Sequence, residues 1–243
     1  MCVLVVSLGG GIDTSWPWLR AYVIHHPYFT LSEIKVNTGQ HLIPEEVISW
    51  SGVAKGMSLW KISSTEVEER LKTHPWIRTA HVQRSLPQYL TITVIERQPV
   101  AILADGPLTY LDETGEVITR LTDTDDRDLP YVTGPATSVT PDAAGVVRQI
   151  PEMLALIRQS GWPEPVSEVH INQAEGFSFF LTGHQINIAL TKERWQEQIP
   201  HLAAVLRLWH SQGGRPALMD ARFAGQVVVR PRQGSRGAGK LRS

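Results

Sequence analysis

Cysteine is almost missing from this chain. Cys2 stands alone among 243 residues, which excludes an internal disulfide framework, a CxxC redox pair and a cysteine-rich zinc site. Oxidising compartments tolerate such proteins too, so the absence does not decide location. An excess of one charge is also lacking. With 23 Lys and Arg against 24 Asp and Glu, the net charge is −1, too small to draw in nucleic acid or acidic substrates by a global field. The opening MCVLVVSLGGGIDTSW is uncharged up to Asp13. As written it is shorter than the roughly 20 apolar residues of a membrane span and lacks the basic first region of a signal peptide.

Catalytic, metal-binding and cofactor-binding patterns are thin. Gly234-Ser235-Arg236-Gly237-Ala238-Gly239-Lys240 fits the first seven positions of a phosphate-binding loop, but Leu241 stands where a Mg²⁺-binding hydroxyl is needed. No room remains before Ser243 for the helix whose N-terminus would face the phosphates. The nine histidines include no HExxH pair, and His201 and His210 are too far apart on one helix to share a metal. Asp123, Asp125, Asp126 and Asp128 lack the glycine and distal glutamate of a calcium loop, so they read as a solvated loop. Gly56-Met57-Ser58-Leu59-Trp60 lacks the second glycine of a nucleophile elbow. The reading is therefore no catalytic residues, no metal and no cofactor.

What is present is a globular composition, 42% apolar and 19% charged, in a length that suits two small domains. Phe29, Leu31, Ile34 and Val36 alternate in part toward Asn37-Thr38-Gly39, which predicts a strand and a turn. Pro44-Glu45-Glu46 opens a short helix, with acids at the positive end of its dipole, running to about Gly52. Ser63 and Glu66 form a capping box for a second helix carrying Val67 and Leu71, which His74-Pro75 stops. Ala80 and Val82, then Leu90, Ile92 and Val94, alternate along two antiparallel strands joined at Leu86-Pro87-Gln88. The order is strand, helix, helix, strand, strand.

The residues Phe29 to Val36, Gly56 to Trp60, His74-Pro75-Trp76-Ile77 and, most specifically, Glu96-Arg97-Gln98-Pro99 resemble the POTRA domain of the FtsQ/DivIB family of bacterial cell-division proteins. Beyond Pro99 the pattern changes to short strands. Val100–Ala104 is one, and a hairpin over Thr114-Gly115 joins Leu108 to Ile118. Leu129-Pro130 to Gly134, together with that hairpin, matches the family's β-domain. Val146, Ile150, Leu154 and Ile157 mark a helix, with Pro151 a kink or a late start. Three further strand-like runs follow: Val169–Asn172, Phe177–Thr182 and Ile186–Leu190. A second helix carries Trp195, Ile199, Leu202, Leu206 and Trp209. That stripe covers the second sheet or docks a partner helix, and Pro200 predicts a bend.

The expected fold is α+β: a βααββ POTRA domain over residues 28–98, then a mainly antiparallel sheet domain covered by two helices over 99–231. Residues 232–243 read as a disordered basic tail, with contact to anionic lipid or wall polymer as the other option. Residues 1–27 form a membrane-proximal segment. Its start reads either as the outer end of a transmembrane helix whose earlier part lies upstream, with Trp16-Pro17-Trp18 at the bilayer boundary, or as a disordered terminus or short strand.

The last predicted hairpin, Ala217–Phe223 and Gln226–Val229 over Ala224-Gly225, stands closest to the chain end. At a sheet edge it is a template for an added strand; inside a sheet it is paired on both sides. Residues alone leave both open. The resemblance implies the first, because family members bind FtsB, and through it FtsL, by strand pairing at this edge. It assigns partner contact to Arg222, Phe223, Gly225, Gln226, Val227, Val228 and Val229. Two departures stand out, a short turn and Arg230 where members often carry an aromatic residue. The family implies a non-enzymatic divisome scaffold, single-pass in the inner membrane with its bulk extracytoplasmic, at the septum. The alternative is a POTRA chaperone module of outer-membrane assembly or secretion. An enzyme acting on wall polymer would need an acid and base that the sequence does not offer.

Overall fold

The computed structural model describes residues 26–122, 128–134, 145–172, 176–183, 186–213, 216–223 and 225–231. The N-terminal segment, most of the acidic loop, Ala224 and the tail with its phosphate-loop-like run lie outside them. The chain divides into two compact units between Arg97 and Gln98.

In the first unit β1 (Glu33–Asn37), α1 (Pro44–Ser51), α2 (Ser64–Lys72), β2 (Ile77–Ser85) and β3 (Tyr89–Glu96) follow the βααββ order. The sheet order is β1-β3-β2, with β1 parallel and β2 antiparallel to the central β3. Helix α1 starts on Pro44 and stops at Gly52, whose φ of 67° is a left-handed cap that glycine adopts without Cβ strain. Ser63 caps α2 by accepting from the Glu66 amide at 3.3 Å. Leu90, Ile92 and Val94 are buried with Val47, Val67 and Leu71 of the two helices, as their alternation predicts.

Strand β1 starts later than the sequence pattern suggests. Pro27–Phe29 is a 3₁₀ turn capped by the His26 ring, and Phe29 to Leu31 pair with the 56–59 segment instead. The Leu31 amide donates to the Met57 carbonyl at 2.8 Å, and the Leu59 amide donates to the Phe29 carbonyl at 3.0 Å. The pattern of alternate apolar residues is the same whichever neighbour a strand pairs with, so only the fold separates the two.

Glu96, at the exit of β3, locks the loop between β1 and α1. Its Oε1 accepts from the Gly39 and Leu42 amides at 2.9 and 3.1 Å, and its Oε2 from Gln40 and His41 at 3.0 and 2.9 Å. The carboxylate is almost wholly buried, which on its own raises its pKa. The amide bonds from His41, Gly39 and Leu42, with the His41 ring, outweigh that and hold it below the usual carboxylate value.

The second unit is a nine-stranded mixed sheet. Its strands are β4 (Pro99–Ala104), β5 (Leu108–Asp112), β6 (Val117–Arg120), β7 (Tyr131–Thr133), β8 (Val166–Asn172), β9 (Gly176–Leu181), β10 (Asn187–Leu190), β11 (Pro216–Asp220) and β12 (Val228–Pro231). The order runs β12-β11-β10-β9-β8-β7-β4-β5-β6. Five of the neighbouring pairs are antiparallel and three parallel. Helices α3 (Ile150–Ser160) and α4 (Trp195–Ser211) complete the unit.

Pro151 sits in the first turn of α3, so it opens the helix rather than kinking it. Trp195, Ile199, Leu202 and Leu206 of α4 are buried in one core with Phe177 and Phe179 of β9. The stripe therefore covers the sheet and is not free for a partner helix. Burying each phenylalanine contributes about 1.5–3 kcal/mol, far more than an exposed helix face could gain from propensity. Helix α4 runs through Pro200 to Ser211 as one element.

Candidate functional site: an open sheet edge at the terminal hairpin

Strand β12 pairs with β11 and, among the described residues, with no other strand. It is thus an edge, not an interior strand. The ladder is Asp220 with Val228, Met219 with Val229 and Leu218 with Arg230, then a shift to Pro216 opposite Pro231. Two facing prolines leave no donor at that end, so the usable edge runs from Val228 to Arg230.

The predicted tight turn at Ala224-Gly225 is replaced by a longer excursion, because the strands end at Asp220 and restart at Val228. The departure is caused by the residues that follow β11. The Ala221 amide donates back to the Ala189 carbonyl at 3.0 Å. Asp220 Oδ1 accepts from the Arg222 amide at 3.0 Å and from its Nε at 2.9 Å, while Oδ2 takes Nη2 at 2.7 Å. That fork turns the chain away from the ladder. Arg222 hydrogen bonding, opposed by burial and aided by the Arg222 amide, holds the Asp220 carboxyl below its ordinary pKa.

The seven residues assigned to partner contact are brought to this edge, in two environments. Phe223 is 55% exposed and Val228 48% exposed, and Gly225 and Gln226 are exposed beside them. Gly225 has φ 69°, so the excursion needs a left-handed residue there. Val227 and Val229 instead pack partly against the domain core, so they hold the strand down more than they present it. Arg222 is committed to Asp220.

One residue of the site carries no motif. Gln198 of α4 is buried, its Oε1 accepting from the Thr191 amide at 3.0 Å and its Nε2 donating to the Ala221 carbonyl at 2.9 Å. It ties the ends of β10 and β11 to the helix. Its signal in the sequence is a lone amide inside the apolar stripe between Trp195 and Leu202.

One edge of the POTRA sheet is guarded. On β2 the Glu68 carboxylate accepts from the Val82 amide at 2.7 Å, which occupies a ladder donor in the manner of a guarded edge. Strand β6 ends the large sheet on its far side. No group of three or more His, Cys, Asp or Glu among the described residues is placed to hold a metal.

Comparison with known proteins decides what carries this edge. The FtsQ-type POTRA domain matches residues 29–97, and the C-terminal region of the cell division protein FtsQ/DivIB matches residues 101–222. The chain belongs to the FtsQ/DivIB family. It is 30% identical over 206 residues to the cell division protein FtsQ of Geobacter sp. (strain M21), covering 82% of this chain and 75% of that one. It is 28% identical over 209 residues to FtsQ of Geotalea daltonii, covering 84% and 76%. DivIB of Geobacillus kaustophilus is 33% identical over 110 residues, 44% of this chain and 42% of its own. Membership of the FtsQ/DivIB family makes this a component of the division machinery. The matched C-terminal region stops at Arg222, at the Asp220–Arg222 fork and short of β12.

Proposed function

We propose that this member of the FtsQ/DivIB family is a non-enzymatic scaffold that acts on the outer side of the cytoplasmic membrane at the septum. Its edge strand β12 receives a strand of an FtsB-type partner, and through it engages FtsL. The observation that carries the reading is the single-sided pairing of β12. A row of unmatched N–H and C=O groups extends an antiparallel ladder at little conformational cost, and the exposed Val228 and Phe223 supply side-chain contacts. Among the described residues no helix is long and apolar enough to cross a membrane.

The test uses proline at adjacent positions. Alternate residues of a strand direct their N–H groups to opposite sides. Of Val228→Pro and Val229→Pro, one therefore removes an outward donor while sparing the β11 ladder. Val227, which precedes the strand and packs on the core, is a poorer target. We expect at least one of these variants to keep its circular dichroism and lose partner binding. Undiminished binding in both would overturn the reading.

A further inference from the structure

A second surface lies on the POTRA domain, where the chain enters β1. Tyr28, Phe29 and Trp60 form a row of rings in edge-to-face contact, with centroids 5.3 and 5.5 Å apart. Tyr28 is 57% exposed, and Met57 and Trp60 are each 42% exposed. The row is held rigidly, because Thr30 bridges Ser58 and the backbone bonds between 29–31 and 56–59 clamp both segments. An exposed aromatic group this well fixed does not bury itself by collapse.

The two segments that form it carry charge of one sign, between the flanking acids Glu33 and Glu66. Residues 26–32 and 52–65 contain Lys55, Lys61 and His26 and neither Asp nor Glu, in a chain whose overall charges balance. Lys55 and Lys61 are exposed. A hollow of about 530 Å³ opens beside the rings, lined by His26, Thr30, Met57, Ser58, Lys61 and Ile62. The chain runs into this patch at His26 from a segment whose sequence includes Trp16-Pro17-Trp18 and the apolar run from Cys2 to Val6.

We infer that this patch seats the POTRA domain on an anionic lipid surface, with Tyr28, Met57 and Trp60 entering the headgroup layer and Lys55 and Lys61 meeting lipid phosphates. Amphipathic rings gain most where one end is dry and the other wet. Lysines beside them add attraction to anionic headgroups, and no carboxylate in either segment opposes it. The inference rests on the proposed membrane location but not on strand addition at β12. It gives the domain a fixed orientation at the bilayer instead of free rotation on a tether.

The experiment uses the full chain with Cys2→Ser and one environment-sensitive fluorophore, placed by Met57→Cys or, as reference, by Gln83→Cys on the opposite edge strand β2. The probe is a vesicle of phosphatidylethanolamine and phosphatidylglycerol. We expect a blue shift at position 57, none at 83, and none at 57 on vesicles of phosphatidylcholine alone. Lys55→Glu with Lys61→Glu should weaken the vesicle affinity read at 57 by roughly tenfold or more. Tyr28→Ser with Trp60→Ser should abolish the shift. A label at 57 that stays in water while the chain is vesicle-bound, an equal shift at 83, or a shift unchanged in both double variants would overturn the inference. Position 57 reads the patch even where the N-terminal segment holds the chain on the vesicle. Partner binding in the same preparation reports β12 separately.

Discussion

Arg222 grips the carboxylate of Asp220, two residues earlier in the chain, with Nη2 2.7 Å from Oδ2 and Nε 2.9 Å from Oδ1. The pair lies where β11 ends and the connection to the edge strand begins. It is a local brace for a strand that, among the described residues, has no neighbour on its outer side.

Removing that brace should loosen the edge without unfolding the domain. Arg222→Ala leaves Asp220 largely buried without its main partner, at a cost of about 1–3 kcal/mol. The Asp220 pKa is depressed in the folded chain, so its stabilisation is present above the unfolded value near 4 and is lost as pH falls through the folded value. We expect faster amide exchange from Ala221 to Val229 in the variant at pH 7. In the unaltered chain the same segment should loosen on acidification below about pH 4. Equal protection in both chains at pH 7 would show that the ladder alone holds the edge.

Glu96 makes the same kind of prediction in the POTRA domain. Glu96→Gln retains one acceptor oxygen where two carboxylate oxygens meet four amides, so destabilisation of about 2–3 kcal/mol follows. Its folded pKa is also depressed. The stabilisation holds above the unfolded carboxylate value of about 4.3 and disappears as pH falls through the folded value. Amide exchange at Gly39 to Leu42, measured against pH in both chains, checks this. The glutamine variant should show the unprotected rates at neutral pH.

Gln198→Leu tests whether the edge is positioned from the helix. The substitution keeps the volume roughly constant but strands the Thr191 amide and the Ala221 carbonyl, at about 1–3 kcal/mol. We expect weaker strand binding at β12 although Gln198 lies on another element, together with a lower thermal midpoint for the second unit. Binding at full strength would mean that the hairpin is placed by its own ladder.

Much of this was legible in the residues, and the reasons are particular. The alternation of Leu90, Ile92 and Val94 is a period-two pattern on a half-buried sheet, and all three are buried. The caps at Ser63 and Gly52 are local chemistry, decided within four residues. Glu96 belonged to the most specific run in the sequence, the Glu96 to Pro99 exit. Nothing local showed that its partners would be amides far earlier in the chain. Gln198 is not legible in the sequence, because a single amide in an apolar stripe looks like an interruption until its two partners are brought to it.

The sequence by itself determined the order of elements, the two-domain division of labour between helices and strands, and the family, because periodicity, caps and short motifs are set by neighbours along the chain. Only the tertiary structure decided where β1 begins, that the excursion before β12 is long, and that β12 lies at a sheet edge. Those are questions of which backbone groups find partners. Hydrogen bonds between strands join residues far apart in sequence, and a strand with one neighbour reads, residue by residue, like a strand with two.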